Sequence, residues 1–287
     1  MEVEIAGARM NVAVALRRAL ADQAKKYADA QAIPHSLSYG ESPAVCFSPF
    51  ESDTRHGNFL NQSYKAIKGH PEWRKRLAKV HTLGKRSFPV KESGRWMELD
   101  TCASSDALLM NVFCYPGVLR EGRILALLGA ELDMSPKFGY KARVPLLNGR
   151  FDRTEVDMRL GNLLIEAKLT ENGFQNAPIT ILEAYRDFSD VFDGRQLPRA
   201  RDRYVSYQLL RNVLAAYALG CSFCVLIDAR RTDLSDAWYA VMKCVRPVEL
   251  RTKLRICTWQ EVAQVATPTL RKFLAAKYGI SPACNFF

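Results

Sequence analysis

An aspartate and a Glu-Ala-Lys triplet stand in two neighbouring apolar segments, within the stretch TEVDMRLGNLLIEAKLTENGF that runs from Thr154 to Phe174. In a β-strand, side chains two residues apart share a face, so Glu166 and Lys168 are expected to point the same way. Asp157 lies on the preceding segment, and one antiparallel register places it next to Glu166. These three side chains are the first candidates for chemistry.

Two carboxylates held a few ångströms apart repel each other, so such a pair persists by sharing a proton or by binding a cation. A hard divalent ion such as Mg²⁺ accepts two carboxylate oxygens together with water and substrate phosphate oxygens. An adjoining lysine can orient or deprotonate an attacking water, or neutralise charge that grows on the phosphoryl oxygens. The pattern predicts a site that cuts phosphodiester bonds.

The alternative for the Glu-Ala-Lys triplet is a solvated ion pair on an exposed strand face, because so short a spacing often arises by chance. Two features favour a functional role. Of the fifteen lysines, only Lys168 has an acidic residue two positions before it, and it lies in a strongly strand-like segment. A helical segment follows, as expected of a helix that covers a site. Its polar residues on one side are Tyr204, Gln208, Arg211 and Asn212.

The segments around these residues alternate between strand and helix patterns. Three β-like runs, GYKARVPLL, TEVDMRL and NLLIEAKL, are separated by Asn-Gly and Gly-Asn and predict an antiparallel meander. A helix in DRYVSYQLLRNVLAAYALG, an apolar strand in SFCVLID and a further strand in AWYAVMKCV follow. The pattern then predicts a strand in KLRICTW and a last helix around TLRKFLAAKYG.

The N-terminal third is predicted to be mostly helical. The segment NVAVALRRALADQAKKYADA has apolar residues at helical spacing, whereas residues 32–57 carry prolines and glycines and predict a loop. A helical stretch that Pro71 interrupts comes next. Ser104 or Ser105 is expected to cap a helix in SSDALLMNVF, and GRILALLGAEL predicts a further short helix.

The composition indicates a globular protein. The chain has 287 residues, of which 48% are apolar, enough for a buried core. No apolar run reaches the length of a membrane span and the N-terminus lacks a signal-peptide pattern, so we expect no membrane association and a cytoplasmic location. The eight cysteines are scattered and are predicted to be reduced thiols.

The net charge of +11 favours polyanions such as nucleic acid or an acidic membrane surface. Most of the excess lies between Tyr64 and Arg95, where ten basic residues face two acidic ones and aromatic residues interleave with them. A charge run is usually a solvated helix face, but an enzyme that cuts nucleic acid must hold phosphates on both sides of the bond. The predicted DNA contacts are Arg74, Lys75, Arg76 and Lys79, with Arg199 and Arg201 before the covering helix.

Two other motifs are interpreted as structural. Cys221 and Cys224 form a C-x-x-C pair at the start of an apolar strand, and no second pair or histidine pair completes a tetrahedral zinc site. The four histidines lack the i, i+4 spacing of a helical metal site. Neither motif predicts a mechanism.

The order of helix, three-stranded meander with Asp and then Glu-x-Lys, helix and strand resembles the PD-(D/E)XK nuclease superfamily. Within it, SSDALLMNVF, LIEAKLTE and YQLLRN are similar to segments of a group of bacterial restriction-endonuclease-like proteins. The resemblance covers residues 104–245. It implies an α/β, restriction-endonuclease-like core with a mixed central sheet flanked by helices over residues 101–287, preceded by a helical, basic, DNA-contacting region over residues 1–100.

Carried over residue by residue, the resemblance implies a metal site and a catalytic lysine. The metal-binding acids fall on Asp157 and Glu166, with the Ala167 carbonyl as a further ligand, and the lysine falls on Lys168. Val156 stands where the motif has proline, which is a common departure. Mg²⁺ is the implied cofactor, and Mn²⁺ is expected to substitute for it.

The resemblance also implies supporting groups and a function. Glu171 and Gln208 are the supporting groups, and Glu131 is the candidate for a further acid on the first helix of the core. The implied function is that of a metal-dependent DNA endonuclease, and cutting of both strands would favour a homodimer. Two alternatives stay open: a non-catalytic nucleic-acid-binding protein with the same fold, and a nuclease acting on RNA or on repair intermediates.

Overall fold

A computed structural model describes residues 2–38, 43–50, 52–80, 91, 95–120, 122–131 and 134–282. The chain forms two compact units: Met1–Leu127 with Trp259–Phe287, and Leu128–Thr258. We call these the helical unit and the sheet unit. Residues 101–127 and 259–287, which are expected from the sequence to belong to the core region, group with the N-terminal residues in the helical unit.

The described residues form helices and strands that we number in chain order. The helices are α1 (Glu2–Ala30), α2 (Asn61–Gly69), α3 (Pro71–Arg74), α4 (Ser105–Phe113), α5 (Arg123–Leu128), α6 (Ile179–Glu183), α7 (Phe188–Val191), α8 (Tyr207–Leu219), α9 (Thr232–Met242), α10 (Val248–Arg251), α11 (Trp259–Val265) and α12 (Pro268–Tyr278). The strands are β1 (His35–Leu37), β2 (Val45–Phe47), β3 (Lys137–Lys141), β4 (Val144–Pro145), β5 (Phe151–Asp152), β6 (Glu155–Leu160), β7 (Leu163–Ala167), β8 (Asn176–Pro178), β9 (Arg199–Ala200), β10 (Arg203–Val205), β11 (Ser222–Ile227) and β12 (Leu254–Thr258). Among these described helices, none is long and apolar enough to cross a membrane.

In the helical unit, α1 packs against α12. The Gln23 side-chain amide on α1 donates to the Ala276 carbonyl on α12 at 2.6 Å. The rings of Tyr27 and Phe273 meet edge to face, with their centroids 5.9 Å apart. The predicted first and last helices are therefore confirmed, and the two ends of the sequence fold together. The buried side chains of α1 follow the helical period and are Ala13, Leu16, Leu20, Ala21, Ala24 and Ala28.

The loop predicted over residues 32–57 is wrong where β1 and β2 form a short antiparallel hairpin. All three residues of β2 are buried. Val45 is β-branched and Phe47 is aromatic, and both residue types favour strands. Burial of their side chains stabilises the strand although prolines stand nearby in the sequence.

The predicted starts of α3 and α4 are confirmed, but α5 ends earlier than predicted. Pro71 opens α3, where its missing N–H is not needed. The Ser104 hydroxyl accepts a hydrogen bond from the Ala107 amide at 3.1 Å and caps α4. Helix α5 ends at Leu128 because Gly129 takes a left-handed φ of 64°. Glu131, expected on this helix, therefore lies beyond its end.

A mixed five-stranded sheet with the order β12-β11-β7-β6-β3 forms the centre of the sheet unit. Strands β3, β6 and β7 pair antiparallel, as the predicted meander requires, and β11 and β12 add in parallel. The small β4–β5 hairpin stands between β3 and β6 in the chain. This mixed sheet with flanking helices confirms the predicted α/β class.

The strand predicted in AWYAVMKCV is wrong, because this segment lies in α9 and the turn after it. Its apolar and aromatic composition favours a strand, but the buried residues Leu234, Trp238 and Val241 recur at the helical period. The Trp238 ring packs against Phe223 of β11 with centroids 5.8 Å apart. Burial against the sheet therefore selects the helix.

A buried histidine in the helical unit is held in one tautomer. His56 Nδ1 accepts a hydrogen bond from the Asn58 amide at 3.1 Å, so Nε2 carries the proton and donates to Asp100 at 3.2 Å. Burial lowers the pKa of His56, although the Asp100 carboxylate opposes this. The prediction that the histidines are structural is confirmed for His56; His81 lies outside the described residues.

We expect the helical unit to lose stability as the pH falls below about 6.5, the ordinary pKa of histidine. Folded His56 stays neutral while the unfolded chain takes up a proton, so its contribution is complete above that pH and is lost as the pH falls through the lowered folded pKa. Urea unfolding between pH 8 and pH 5 measures this slope. In His56→Asn the slope should become shallower, and an unchanged slope would contradict the assignment.

Candidate active site

Asp157 lies opposite Glu166 across the β6–β7 pair. The ladder pairs Met158 with Ile165, and one further step along it brings the two acids side by side. The Asp157 Oδ2 atom accepts a hydrogen bond from the Ala167 amide at 2.8 Å, which fixes this carboxylate against β7. The register expected from the sequence is confirmed.

Lys168 and Glu166 form a buried ion pair at the end of β7. Lys168 Nζ lies 2.7 Å from Glu166 Oε1, and the two side chains are 7% and 2% exposed. The second oxygen, Oε2, accepts a hydrogen bond from Asn212 Nδ2 at 2.8 Å. Because both side chains are withdrawn from water, the alternative of a solvated ion pair on an exposed strand face is wrong. Removing two charges from water carries a large desolvation penalty, which the surrounding groups must offset.

Surrounding carboxylates keep Lys168 charged. Burial by itself would lower the pKa of the Lys168 ammonium, but the charges of Glu166, Asp157 and Glu171 raise it above its usual range. The Phe174 ring, whose centroid lies 5.7 Å from Nζ, adds a cation–π contact. At neutral pH the amine is therefore protonated, which suits it to stabilise negative charge.

Glu171 shapes the turn that follows Lys168. Its Oε2 atom accepts a hydrogen bond from the Leu169 amide at 2.6 Å. Its backbone carbonyl accepts one from Arg231 Nη1 at 2.8 Å, and Arg231 is itself fully buried and paired with Asp233. This position agrees with a supporting role for Glu171.

Helix α8 covers the site and brings an additional side chain to it. Tyr204, expected on this helix, lies instead in β10, because α8 begins at Tyr207. Gln208 and Asn212 lie one turn apart, and the side-chain carbonyl oxygen of each is buried with no hydrogen-bond donor among the described atoms. Asn212 is fully buried and contacts Glu166. Asn212 is not among the site residues predicted from the sequence. Its i, i+4 spacing from Gln208 is the pattern that could have identified it.

Arg211 holds the start of β6 in place. Its guanidinium is buried and donates to the Thr154 carbonyl at 2.9 Å and to the Glu155 carbonyl at 2.7 Å. These carbonyls precede Asp157 by three and two residues. The contact positions the strand that carries the first acid.

The donor set of the site fits Mg²⁺. Asp157 and Glu166 offer carboxylate oxygens, and the Ala167 carbonyl follows on the same strand. Within the described part of the chain, no group of three or more His, Cys, Asp and Glu side chains could hold a metal. Mg²⁺ commonly uses one or two carboxylates and completes its shell with water and phosphate, whereas zinc sites need three or four protein ligands. The buried Oδ1 of Asn212 suits a water molecule as donor. Mg²⁺ or Mn²⁺ is therefore the class of ion that these residues fit.

Two of the predicted DNA contacts near α3 are exposed. Arg74 and Lys75 both face solvent, and Lys75 pairs with Glu72 at 2.6 Å in a surface ion pair. Such exposed pairs are weak, so a phosphate can replace the carboxylate. Lys85 and Arg86, counted in the same basic run, lie outside the described residues.

The other two predicted contacts near α3 are paired inside the helical unit. Arg76 forms an ion pair with Asp106, and both side chains are largely buried. Lys79 lies 2.7 Å from Glu98 and 3.6 Å from Asp106. Tyr64, expected to interleave with the basic run, is a buried core residue. These internal partners leave Arg74 and Lys75 as the more accessible cations.

The predicted contacts Arg199 and Arg201 lie on the β9–β10 hairpin, and both are exposed. The Arg199 guanidinium lies over the Tyr204 ring at 4.8 Å, and Arg201 occupies the turn. Strand β10 pairs with β8, which begins two residues after Phe174, the residue whose ring contacts Lys168. This hairpin therefore connects to the loop after the lysine.

Cys221 and Cys224 are buried thiols, as the sequence predicts. Burial raises the pKa of the Cys221 thiol above its usual value. The seven cysteines in the described part of the chain all occur as buried thiols, with no disulfide among them. The C-x-x-C pair is therefore part of the core.

A family model described as "Restriction Endonuclease associating with ARP" matches residues 19–279. This match includes β6 with Asp157, β7 with Glu166, and Lys168 directly after β7. No curated protein and no solved structure matches the chain. The family supports a nuclease-like role for the protein and the predicted restriction-endonuclease-like fold.

Replacing Asn212 by aspartate should lower the free energy of unfolding by about 1–3 kcal/mol. The two side chains have the same shape, but the donor to Glu166 Oε2 becomes a second negative charge. Added Mg²⁺ should recover part of the loss, because a cation offsets the repulsion. Urea unfolding at pH 8 with and without Mg²⁺ measures both effects.

The matched control is Asn148→Asp, the same substitution at an exposed turn, where the side-chain oxygen accepts a bond from the Arg150 amide. It should change the unfolding free energy by less than about 0.5 kcal/mol. Equal effects of the two substitutions would show that Asn212 does not hold Glu166.

Proposed function

Because the chain belongs to the family described as Restriction Endonuclease associating with ARP, we propose that it is a metal-dependent endonuclease that hydrolyses DNA phosphodiester bonds. The observation that carries this proposal is the cluster in which half-buried Asp157 stands opposite Glu166, and Glu166 forms a buried ion pair with Lys168. Buried charges lower the free energy of unfolding unless other groups compensate them. A purely structural role therefore does not explain why the chain places these charged residues together.

The carboxylates of Asp157 and Glu166 would hold the divalent ion, with the Ala167 carbonyl as a further ligand. When bound, Mg²⁺ or Mn²⁺ polarises a phosphoryl oxygen and lowers the pKa of a water molecule. The chain holds each acid before the substrate arrives. The Ala167 amide fixes Asp157, while Lys168 and Asn212 fix the two oxygens of Glu166.

Lys168 would stabilise negative charge as it develops on the phosphoryl oxygens. Its ammonium is prepositioned in a buried environment, where a fixed charge acts more strongly than in water. As a hydrogen-bond donor, the ammonium would also orient the attacking water, since its Nζ lies 2.7 Å from the metal-binding carboxylate of Glu166.

We also propose the setting of the reaction. The substrate is DNA, held through Arg74, Lys75, Arg199 and Arg201, and a homodimer would allow both strands to be cut. The family description names an associating partner, ARP, which we carry over to this chain. The described cysteines occur as thiols, which supports a location in the reducing cytoplasm.

Single substitutions at the cluster should abolish or strongly reduce cleavage of supercoiled plasmid. Asp157→Ala and Glu166→Ala should remove the cleavage seen with Mg²⁺ or Mn²⁺, to the level seen with EDTA. Lys168→Met should lower the rate about 10²- to 10³-fold, because it removes one preorganised stabilising group. Gel analysis of nicked and linear products gives the rates and the number of strands cut.

Lys137→Met provides the control, since Lys137 is an exposed lysine on β3 of the same sheet. It should cut at the wild-type rate. A Glu166→Ala protein that cuts at the wild-type rate would exclude this mechanism. Binding of plasmid without cleavage under either metal would favour the non-catalytic alternative.

A further inference from the structure

The β4–β5 hairpin is a surface feature that the proposed chemistry does not use. We call residues 143–153 the arginine hairpin. Val144 pairs with Asp152 and Pro145 with Phe151, so the chain reverses over residues 146–150. Leu147 in this turn is 68% exposed, more than any other large apolar side chain in the described part of the chain.

The arginine hairpin has two different faces. On the inner face Val144 is buried in the core, and Asp152 accepts a hydrogen bond from the Tyr185 hydroxyl at 2.7 Å. On the outer face Arg143 lies over the Phe151 ring at 4.8 Å, and Phe151 is 43% exposed. Arg150 and Arg153 are exposed as well. The outer face therefore combines three arginines with apolar side chains.

The hairpin is held rigidly by its backbone. The Leu147 amide donates to the Ala184 carbonyl at 2.9 Å, and the Arg186 amide donates to the Pro145 carbonyl at 3.1 Å. In the turn, the Arg150 amide donates to Asn148 Oδ1 at 3.0 Å. A surface that is ordered in advance loses little entropy when it binds.

The hairpin leaves the sheet at the end where Lys168 lies. Strand β6 runs antiparallel to β7, so its first residue, Glu155, lies at the end of the sheet where β7 ends and Lys168 follows. The hairpin ends at Arg153, two residues before Glu155, which is a span of about 7 Å in an extended chain. The base of the hairpin, with Arg143 and Arg153, therefore lies at the same end of the sheet as Lys168.

The charge of the hairpin suits a polyanion. Its one acidic residue, Asp152, is turned inward and engaged by Tyr185 and Thr154. The major groove of DNA is about 12 Å wide and admits a β-hairpin, and the exposed turn at residues 147–150 is the part of this hairpin that can enter it. Arginine reads guanine edges there, and an apolar side chain contacts the thymine methyl group.

We propose that the arginine hairpin enters the major groove of double-stranded DNA next to the bond that is cut. Leu147 and Arg150, at the tip, reach base edges, while Arg143 and Arg153, at the base of the ribbon, contact phosphates. The inference rests on the proposed function for the identity of the substrate and adds the element that selects the DNA sequence.

The test compares two charge reversals in the sheet unit, Arg150→Glu and Arg251→Glu. Arg251 is an exposed arginine on α10, which leads into the amino end of β12 and so lies at the opposite end of the parallel strands from Lys168. Affinity for a duplex of about 30 base pairs, long enough to span the site, is measured by fluorescence anisotropy in EDTA, and thermal unfolding confirms that both variants fold. Arg150→Glu should weaken duplex binding at least about 10-fold, and Arg251→Glu less than about twofold.

Two further readouts separate base from phosphate contacts. Arg153→Ala should reduce the slope of log affinity against log salt by about 1, as the loss of one phosphate contact requires. Leu147→Ser should reduce the preference for cognate over mismatched duplex and leave the salt slope unchanged. The cognate duplex is taken from the cleavage sites mapped on plasmid.

Each outcome decides between the proposals. Equal effects of Arg150→Glu and Arg251→Glu, or no effect of either, would overturn the role of the hairpin. Because binding is measured in EDTA, a protein that binds through the hairpin but never cleaves would contradict the proposed function alone. If the wild-type protein cleaves DNA and the Arg150→Glu variant binds duplex like wild type, the proposed role of the hairpin is contradicted and the proposed function is not.

Discussion

The ion pair between Lys168 and Glu166 is the interaction on which the arrangement of the sheet unit depends. Two charges removed from water must each find compensation, or the fold loses several kcal/mol. Here the compensation comes from three directions: the neighbouring carboxylates raise the pKa of the lysine, Asn212 satisfies the second oxygen of Glu166, and the Ala167 amide holds Asp157 beside them. The same contacts that make the pair tolerable also preorganise it for charge stabilisation.

The pair can be buried because β7 is an inner strand of the sheet. It is flanked by β6 and β11, and all five of its residues are buried. Helix α8 contributes the Asn212 side chain, which donates a hydrogen bond to Glu166. Through the Arg211 guanidinium, the same helix also fixes the start of β6. A site built on a central strand keeps its geometry better than one built on loops, since neighbouring strands fix its backbone on both sides.

The sequence predicts those parts of the fold and site that depend on local periodicity. Alternating side chains and turn dipeptides identify β6 and β7, and hence the pairing of Asp157 with Glu166. The prediction is wrong for α9, where aromatic and branched residues suggest a strand but packing selects a helix. The contact of Asn212 with Glu166 spans 46 residues, and the pairing of Arg76 with Asp106 spans 30, so neither is visible in a local pattern.

The helical unit is assembled from two stretches of sequence that bracket the sheet unit. During synthesis from the N-terminus, every residue of the sheet unit emerges before α12 does, and domains generally fold as they become complete. The surface of α1 that α12 covers includes Gln23 and Tyr27, and it therefore stays exposed on the nascent chain until α12 is synthesised. The sheet unit can already fold during that time. The sheet unit can therefore begin to fold earlier in translation. The helical unit can complete its fold only after α12 has been synthesised.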